Sequence, residues 1–123
     1  ESIGELSIAP ASLDAVMVVQ ILHDYYNSNP AGARQMLMQL RNLLKPGGIL
    51  GVIDHVGEPG RENRRFHRME KSQAIAVVTE AGFELSGDSD LLANPADRHV
   101  RSIFDPMLNR NTDRFLLKFQ KPQ

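Results

Sequence analysis

The sequence predicts an α/β fold whose elements follow the order β-α-β-α-β-β, with the last strand antiparallel to its neighbours. Apolar, β-branched runs typical of buried strands alternate with stretches whose apolar residues recur at helical spacing. Glycine and proline also stand where the helices should end. Strands joined through helices run parallel with right-handed crossovers, so these elements predict part of a doubly wound, Rossmann-like sheet.

The first strand and the first helix have the clearest patterns. Leu13–Val19 is a nearly continuous apolar run, as expected for a strand buried on both faces. Asn29 and Pro30 predict a helix start, with asparagine as N-cap and proline at the first helical position. The apolar stripe of this helix consists of Ala33, Met36, Leu37, Leu40, Leu43 and Leu44. Residues 45–48, Lys-Pro-Gly-Gly, end it because proline cannot continue a helix.

Three further segments have the composition of strands: residues 49–56, 83–91 and 113–120. Residues 70–81 predict a second helix, which Gly82 closes as a left-handed cap. No helix precedes the final strand, so we expect it to pair antiparallel at an edge of the sheet. Residues 57–69 and 93–112 are interpreted as loops, and connections as long as the second are usually functional or bound to a partner.

The composition is that of one ordinary domain spanning residues 1–123. Hydrophobic residues make up 41%, charged residues 24% and the formal charge is −1, which excludes a disordered chain. No apolar run reaches the roughly 18 residues of a membrane span, and a pI near 6.5 gives no basic surface for nucleic acid. We therefore expect no membrane or nucleic-acid partner, and a cytoplasmic location by default. The absence of cysteine excludes thiolate chemistry and Cys-based zinc sites.

The densest basic stretch lies between residues 61 and 71, where two glutamates are interspersed. We interpret it as a solvated face, with contact to a phosphate or an acidic substrate as the alternative. Its basic residues are Arg61, Arg64, Arg65, Arg68 and Lys71.

Five polar residues follow the carboxyl ends of neighbouring strands, where open parallel sheets bind their ligands. Gln20, His23 and Asp24 come after the first strand, and Asp54 and His55 end the second. Two imidazoles and two carboxylates at one rim could supply a general base for an O–H or N–H proton, or a metal site. A structural role is as well supported, since His-Asp pairs also cap helices and bond loop backbone. We assign no metal ligand among them.

Three motifs stand at the boundaries of the predicted elements: Leu-Asp-Ala-Val at 13–16, Leu-Leu-Lys-Pro-Gly-Gly-Ile-Leu at 43–50 and Ala-Gly-Phe-Glu at 81–84. They resemble the class I S-adenosylmethionine-dependent methyltransferases, in which such motifs surround strands four, five and six. The chain is similar to a subgroup of predicted bacterial methyltransferases in further motifs. These are His23-Asp24, Asp54-His55 and the tail motifs at residues 92–97, 104–106 and 112–115.

The resemblance implies S-adenosylmethionine as cofactor, with Gln20 beside it. It also implies that His23, Asp24, Asp54 and His55 are catalytic residues near the substrate. The family binds its cofactor chiefly on a Gly-X-Gly-X-Gly turn after strand one, where glycine lets the backbone approach the ligand closely. This sequence contains no such turn, since its adjacent glycines at 47–48 end a helix.

By resemblance, the chain corresponds to the C-terminal half of the methyltransferase domain and starts just before strand four. We therefore expect it to bind no cofactor and to transfer no methyl group on its own. The alternatives are a functional part of an enzyme whose N-terminal half comes from a longer parent or a partner chain and, as a minor one, a metal-assisted hydrolase.

The strand Leu13–Val19 would lose one neighbour in such a half-domain. It would then present a long apolar edge with unpaired N–H and C=O groups, which natural proteins cover. We therefore expect a homo-oligomer, in the simplest case a homodimer, that forms through this strand.

Overall fold

The computed structural model describes residues 3–123 and has one mixed four-stranded sheet in that range. The strands are β1 (Leu13–Val19), β2 (Leu44–His55), β3 (Glu84–Ser89) and β4 (Arg114–Gln120). Their order across the sheet is β1-β2-β4-β3, with β1 and β2 parallel and β4 antiparallel to both of its neighbours. The predicted α/β fold with an antiparallel last strand is confirmed.

The prediction that the last strand lies at an edge is wrong, because β4 lies between β2 and β3. The apolar face of β4, formed by Phe115, Leu117 and Phe119, is fully buried, as suits a strand with a neighbour on each side. The edge position goes to β3, which reads Glu-Leu-Ser-Gly-Asp-Ser and is exposed along most of its length. A short polar strand at an edge does not invite pairing with another chain.

Four α-helices accompany the strands: α1 (Leu22–Ser28), α2 (Pro30–Leu43), α3 (Asn63–Phe66) and α4 (Lys71–Glu80). The two predicted helices are α2 and α4. Asn29 caps α2 by accepting a hydrogen bond from the backbone N–H of Ala31 at 3.2 Å. The helices α1 and α3 were not predicted, because short polar segments carry too little apolar periodicity to indicate a helix.

The second strand is longer than predicted. Leu44 already pairs with Leu13, ahead of an irregularity in the β1–β2 register, so the Lys-Pro-Gly-Gly turn belongs to β2. Gly47 in this turn has a φ of +79°, which glycine adopts without the steric cost of a Cβ. The third strand is shorter than residues 83–91, since it ends at Ser89.

The core lies between one face of the sheet and the helices α2 and α4, which contact each other. Right-handed crossovers between strands that run in one direction place both helices on the same side. On β1 this side carries the buried Val18, whereas Met17 and Val19 point to the opposite face and are 56% and 45% exposed. One face of β1 is therefore apolar and open. In the described part of the chain, no helix is long and apolar enough to cross a membrane.

A buried ion pair holds the long segment between β3 and β4 against the sheet. The guanidinium of Arg68 donates two hydrogen bonds to the carboxylate of Asp97, at 2.8 and 2.9 Å, and both side chains are fully buried. Arg68 also donates to the carbonyl oxygens of Val56 and Arg101. This residue corrects the interpretation of the basic stretch, since Arg61, Arg64 and Arg65 are exposed but Arg68 is a core residue.

The Asp97 carboxylate also accepts hydrogen bonds from the backbone N–H groups of His99 and Asp113. Burial alone would raise the pKa of Asp97, but the hydrogen bonds from Arg68 and from these backbone groups outweigh it and lower the pKa. The ring of His99 lies between Glu58 and Asp113, with a carboxylate oxygen 2.7 Å from each of its nitrogens. Residues 94–113 are thus fastened at several points although they contain almost no regular structure.

Replacing Asp97 by alanine should lower the free energy of unfolding by about 3–5 kcal/mol, because the Arg68 charge then stays buried without its partner. Urea denaturation followed by circular dichroism measures the loss. The matched control is Glu62→Ala, which breaks the exposed pair between Arg65 and Glu62 and should cost about 1 kcal/mol or less. Equal losses in the two variants would contradict a stabilising role for the buried pair.

Candidate functional site

The carboxyl ends of β1 and β2 lie side by side and bring the five predicted residues together. Val19 pairs with Ile53, and the backbone N–H of Gln20 donates to the carbonyl oxygen of Ile53 at 2.7 Å. Gln20 has a φ of +58°, a left-handed value uncommon for residues other than glycine, and there the chain turns from the strand into α1. The five residues predicted to share a rim therefore lie close together at this edge of the sheet.

Asp54 is the buried centre of this rim. Its side chain accepts hydrogen bonds from the backbone N–H of His23 and the backbone N–H of His55, both at 2.8 Å. It also contacts Nδ1 of His23 at 2.6 Å. The N-cap of α1 is Ile21, whose side chain cannot accept a hydrogen bond, so the Asp54 carboxylate satisfies the N–H that a capping residue would otherwise satisfy. Because Asp54 is fully buried, its place in the site is to position other groups.

His23 is held between two carboxylates. Nδ1 faces Asp54, and Nε2 lies 3.1 Å from an oxygen of Asp24, whose side chain is 60% exposed. Burial lowers the pKa of His23, but the hydrogen bond to Asp54 and the charges of Asp54 and Asp24 outweigh that effect and raise it above the ordinary 6.5. The folded protein therefore favours the protonated ring.

His55 has the opposite character. Its Nδ1 lies 2.7 Å from Oγ1 of Thr112, and its ring centroid is 5.7 Å from that of His23. Burial lowers the pKa of His55 to about 4. The negative charge of Asp54 opposes this effect, and the positive charges of His23, Arg68 and Arg114 add to it. His55 is therefore neutral near pH 7. Its Nε2 has no hydrogen-bonding partner among residues 3–123.

A cavity of about 240 Å³ opens beside His55. Its lining residues are Gln20, His55, Ile103, Phe104, Arg110 and Thr112. The strand ends form one wall and the segment before β4 forms the other, so the long connection expected to be functional closes over the rim. A larger hollow of about 290 Å³ lies between α2 and α4, but none of the five predicted residues lines it.

The cavity contains no carboxylate, and Arg114 lies next to it. Nη1 of Arg114 donates to Oε1 of Gln20 at 3.2 Å, while its buried Nε has no partner among the described residues. Arg114 pairs with His55 across the β2–β4 ladder. Arg114 and Arg110 thus bring two positive charges near His55, beside the negative charge of the buried Asp54.

Sequence reasoning missed one member of the rim, His67, which follows α3. Its Nδ1 lies 3.6 Å from Asp24, and its ring contacts the rings of His23 and Phe104 edge to face, with centroids 5.9 and 4.9 Å apart. The sequence gives no signal for His67, since it stands in a basic stretch that predicts a solvated loop. Phe104 and Thr112 belong to the tail motifs of the resemblance, which could have indicated them.

The two buried histidines should titrate in opposite directions from 6.5. Because the pKa of His23 is raised, its contribution to stability is complete below pH 6.5 and is lost as the pH rises through the folded value. The pKa of His55 is lowered, so its contribution is complete above pH 6.5 and is lost as the pH falls towards about 4. A ring ¹H–¹³C NMR titration measures both pKa values. A common midpoint near 6.5 would contradict the assignment.

No protein-family model matches the chain. Among solved structures, it is similar to the cyclase SpnF, with a TM-score of 0.70 and 20% identity over 99% of this chain and 54% of that one. A second similar structure is a SAM-dependent methyltransferase from Methanosarcina mazei, with a TM-score of 0.66 and 15% identity over 99% of this chain and 65% of that one. A third similar structure is the N-methyltransferase NodS from Bradyrhizobium japonicum in complex with S-adenosyl-L-homocysteine. It has a TM-score of 0.64 and 20% identity over 100% of this chain and 53% of that one.

The chain thus spans between about half and two thirds of the length of these proteins. At identities of 15% to 20%, the likeness concerns the fold. The order β1-β2-β4-β3 with its antiparallel last strand agrees with a partial Rossmann-like sheet. The chain therefore has the fold of part of an S-adenosylmethionine-dependent methyltransferase.

Proposed function

We propose that this chain is the C-terminal, acceptor-binding half of a methyltransferase domain and that it transfers no methyl group by itself. The observation that carries the proposal is the match of nearly the whole chain to only 53–65% of each of the three proteins. The sequence has no Gly-X-Gly-X-Gly turn, which would let a backbone approach the cofactor closely. The alternative is the same half at work in an enzyme, with the N-terminal half supplied by a longer parent or by a partner chain.

The described residues fit one side of a cofactor site. Gln20 stands at the carboxyl end of β1, where doubly wound sheets bind their ligands, and it lines the cavity. S-adenosylmethionine, when bound, supplies an electrophilic methyl group and leaves as a neutral thioether. Gln20 offers an amide that hydrogen-bonds polar atoms of such a ligand, while Arg114 fixes the orientation of that amide.

His55 is our candidate for the residue that receives the methyl acceptor. With its proton on Nδ1 towards Thr112, its free Nε2 accepts a hydrogen bond from the O–H or N–H group of the acceptor. The low pKa of His55 makes it a weak base. It therefore orients the acceptor through this hydrogen bond and leaves the proton on the acceptor until the methyl group is transferred. His23 and Asp24 extend the rim outward, and Asp54 positions both histidines through its hydrogen bonds.

Calorimetric titration of the 123-residue chain with S-adenosyl-L-homocysteine tests the first part of the proposal. We expect a dissociation constant weaker than about 1 mM, because half of the site is missing.

The reading frame upstream of the codon for Glu1 tests the alternative. A Gly-X-Gly-X-Gly sequence about 50 to 80 residues earlier would support it, since that spacing suits a mononucleotide-binding half. Tight binding and turnover by the chain alone would refute the half-domain.

We also propose that the isolated chain forms homodimers through β1. This strand is the outer strand of the described sheet on the side away from β4, and its exposed face carries Met17 and Val19. An apolar strand edge of this kind pairs readily with a second copy. In a complete enzyme the N-terminal half would take the same edge, so the two arrangements exclude each other.

Sedimentation velocity at micromolar concentration should give a dimer for the wild-type chain. The double variant Met17→Lys, Val19→Lys should be monomeric, because like charges would face each other across the paired strands. Met38→Lys is the matched control, since Met38 is 50% exposed on α2 and away from this edge. A monomeric wild-type chain would exclude the homodimer.

A further inference from the structure

The side chains of His23, Asp24 and His67 converge at the outer part of the rim. One ligand atom from each, Nε2 of His23, Oδ1 of Asp24 and Nδ1 of His67, lies within 4.8 Å of the other two. The two separations from the carboxylate oxygen are 3.1 and 3.6 Å. Ligand atoms bound to one tetrahedral zinc ion at about 2.0–2.1 Å stand roughly 3.3 Å apart, and the two separations that involve Asp24 are close to this spacing.

His23 has the orientation of a metal-binding histidine, and its protonated ring would release the proton on Nε2 when an ion binds there. Its Nδ1 faces the buried carboxylate of Asp54 at 2.6 Å, which leaves Nε2 directed at Asp24 and towards His67. A carboxylate on the second ring nitrogen fixes the tautomer and the ring plane of ligating histidines and makes them more basic. Asp54 can take this part because it is fully buried and anchored by two backbone N–H groups.

His67 and Asp24 are the adjustable partners. Their side chains are 40% and 60% exposed, so each has room to move and close on an ion. The backbone of His67 is fixed in a left-handed conformation (φ of +60°) at the end of α3, and its ring rests on Phe104. The cluster is therefore anchored on one side by His23 and able to adapt on the other.

We propose that His23, Asp24 and His67 bind one divalent transition-metal ion of the zinc type. Two imidazoles and one carboxylate are a donor set that suits such ions and leaves coordination positions free. The ring contact between His67 and Phe104 joins the site to the cavity, which Phe104 lines. The free positions can take water or an oxygen or nitrogen atom of a molecule in the cavity. The inference rests on the geometry of the rim and does not depend on methyl transfer.

Calorimetric titration of the untagged 123-residue chain with Zn²⁺, and visible absorption with Co²⁺, test the proposal. We expect one ion per chain, with Co²⁺ bands of a low-coordinate nitrogen and oxygen site. The variants Asp24→Asn and His67→Asn should each weaken binding by more than about tenfold, since even partners outside the ligand set cost 10–100-fold. Asparagine tolerates the left-handed conformation of residue 67, so this variant should keep the fold.

Asp14→Asn is the matched control, because Asp14 is an exposed carboxylate on β1 that is not part of the cluster. It should bind zinc like the wild-type chain, and circular dichroism should show the same fold for all variants. The proposal is overturned if the wild-type chain binds neither ion saturably. It is equally overturned if Asp24→Asn and His67→Asn bind as tightly as the control.

Discussion

The hydrogen bonds of the buried Asp54 carboxylate connect the two buried histidines of the rim. This single group caps α1 from a distant strand, holds the backbone of His55 and orients the ring of His23. A fully buried carboxylate is costly unless it is hydrogen-bonded or paired, and here these donors compensate its burial. The end of β2 and the start of α1 are therefore locked together. Both the proposed acceptor site and the proposed metal site depend on that lock.

A second buried charged group, the Arg68–Asp97 ion pair, holds residues 94–113 in place. Arg68 and Asp97 form a bidentate pair that is fully buried and bonded to backbone on both sides. Residues 94–113 have little regular structure to hold them, so this pair supplies the fixed point from which Phe104 and Thr112 reach the cavity. A loop fastened by a buried ion pair forms a stable wall, although its own sequence is polar and rich in turns.

The two neighbouring histidines show how position sets chemistry. His23 and His55 lie 5.7 Å apart by ring centroid, share Asp54 and are both buried. His23 has carboxylates on both nitrogens and favours its charged form. His55 faces a hydroxyl, and burial together with nearby positive charges keeps it neutral in spite of the Asp54 charge. One rim thus offers a charged and a neutral imidazole at the same pH.

The open apolar face of β1 beside these histidines supports the proposal that further polypeptide covers this side.

Sequence patterns predicted the fold class, the helices α2 and α4, and the meeting of Gln20, His23, Asp24, Asp54 and His55 at one edge. These features follow from local periodicity, from turn residues and from the rule that parallel strands end on the same side. The position of β4 was not predictable, because pairing between distant strands depends on which neighbours bury its face. The burial of Arg68 was hidden for the same reason, since its partner Asp97 stands 29 residues away.

The sequence by itself determined the order of elements and the chemistry available at the rim, because both are written in spacing and residue type. Only the tertiary structure decided which groups are hydrogen-bonded to each other and which are exposed to solvent. Asp54 is buried and hydrogen-bonded to the backbone of His55, His67 lies beside Asp24, and Nδ1 of His55 faces Thr112. Each of these outcomes requires atoms from segments far apart in the chain to come within hydrogen-bonding distance or close to it, and no local pattern encodes such an approach.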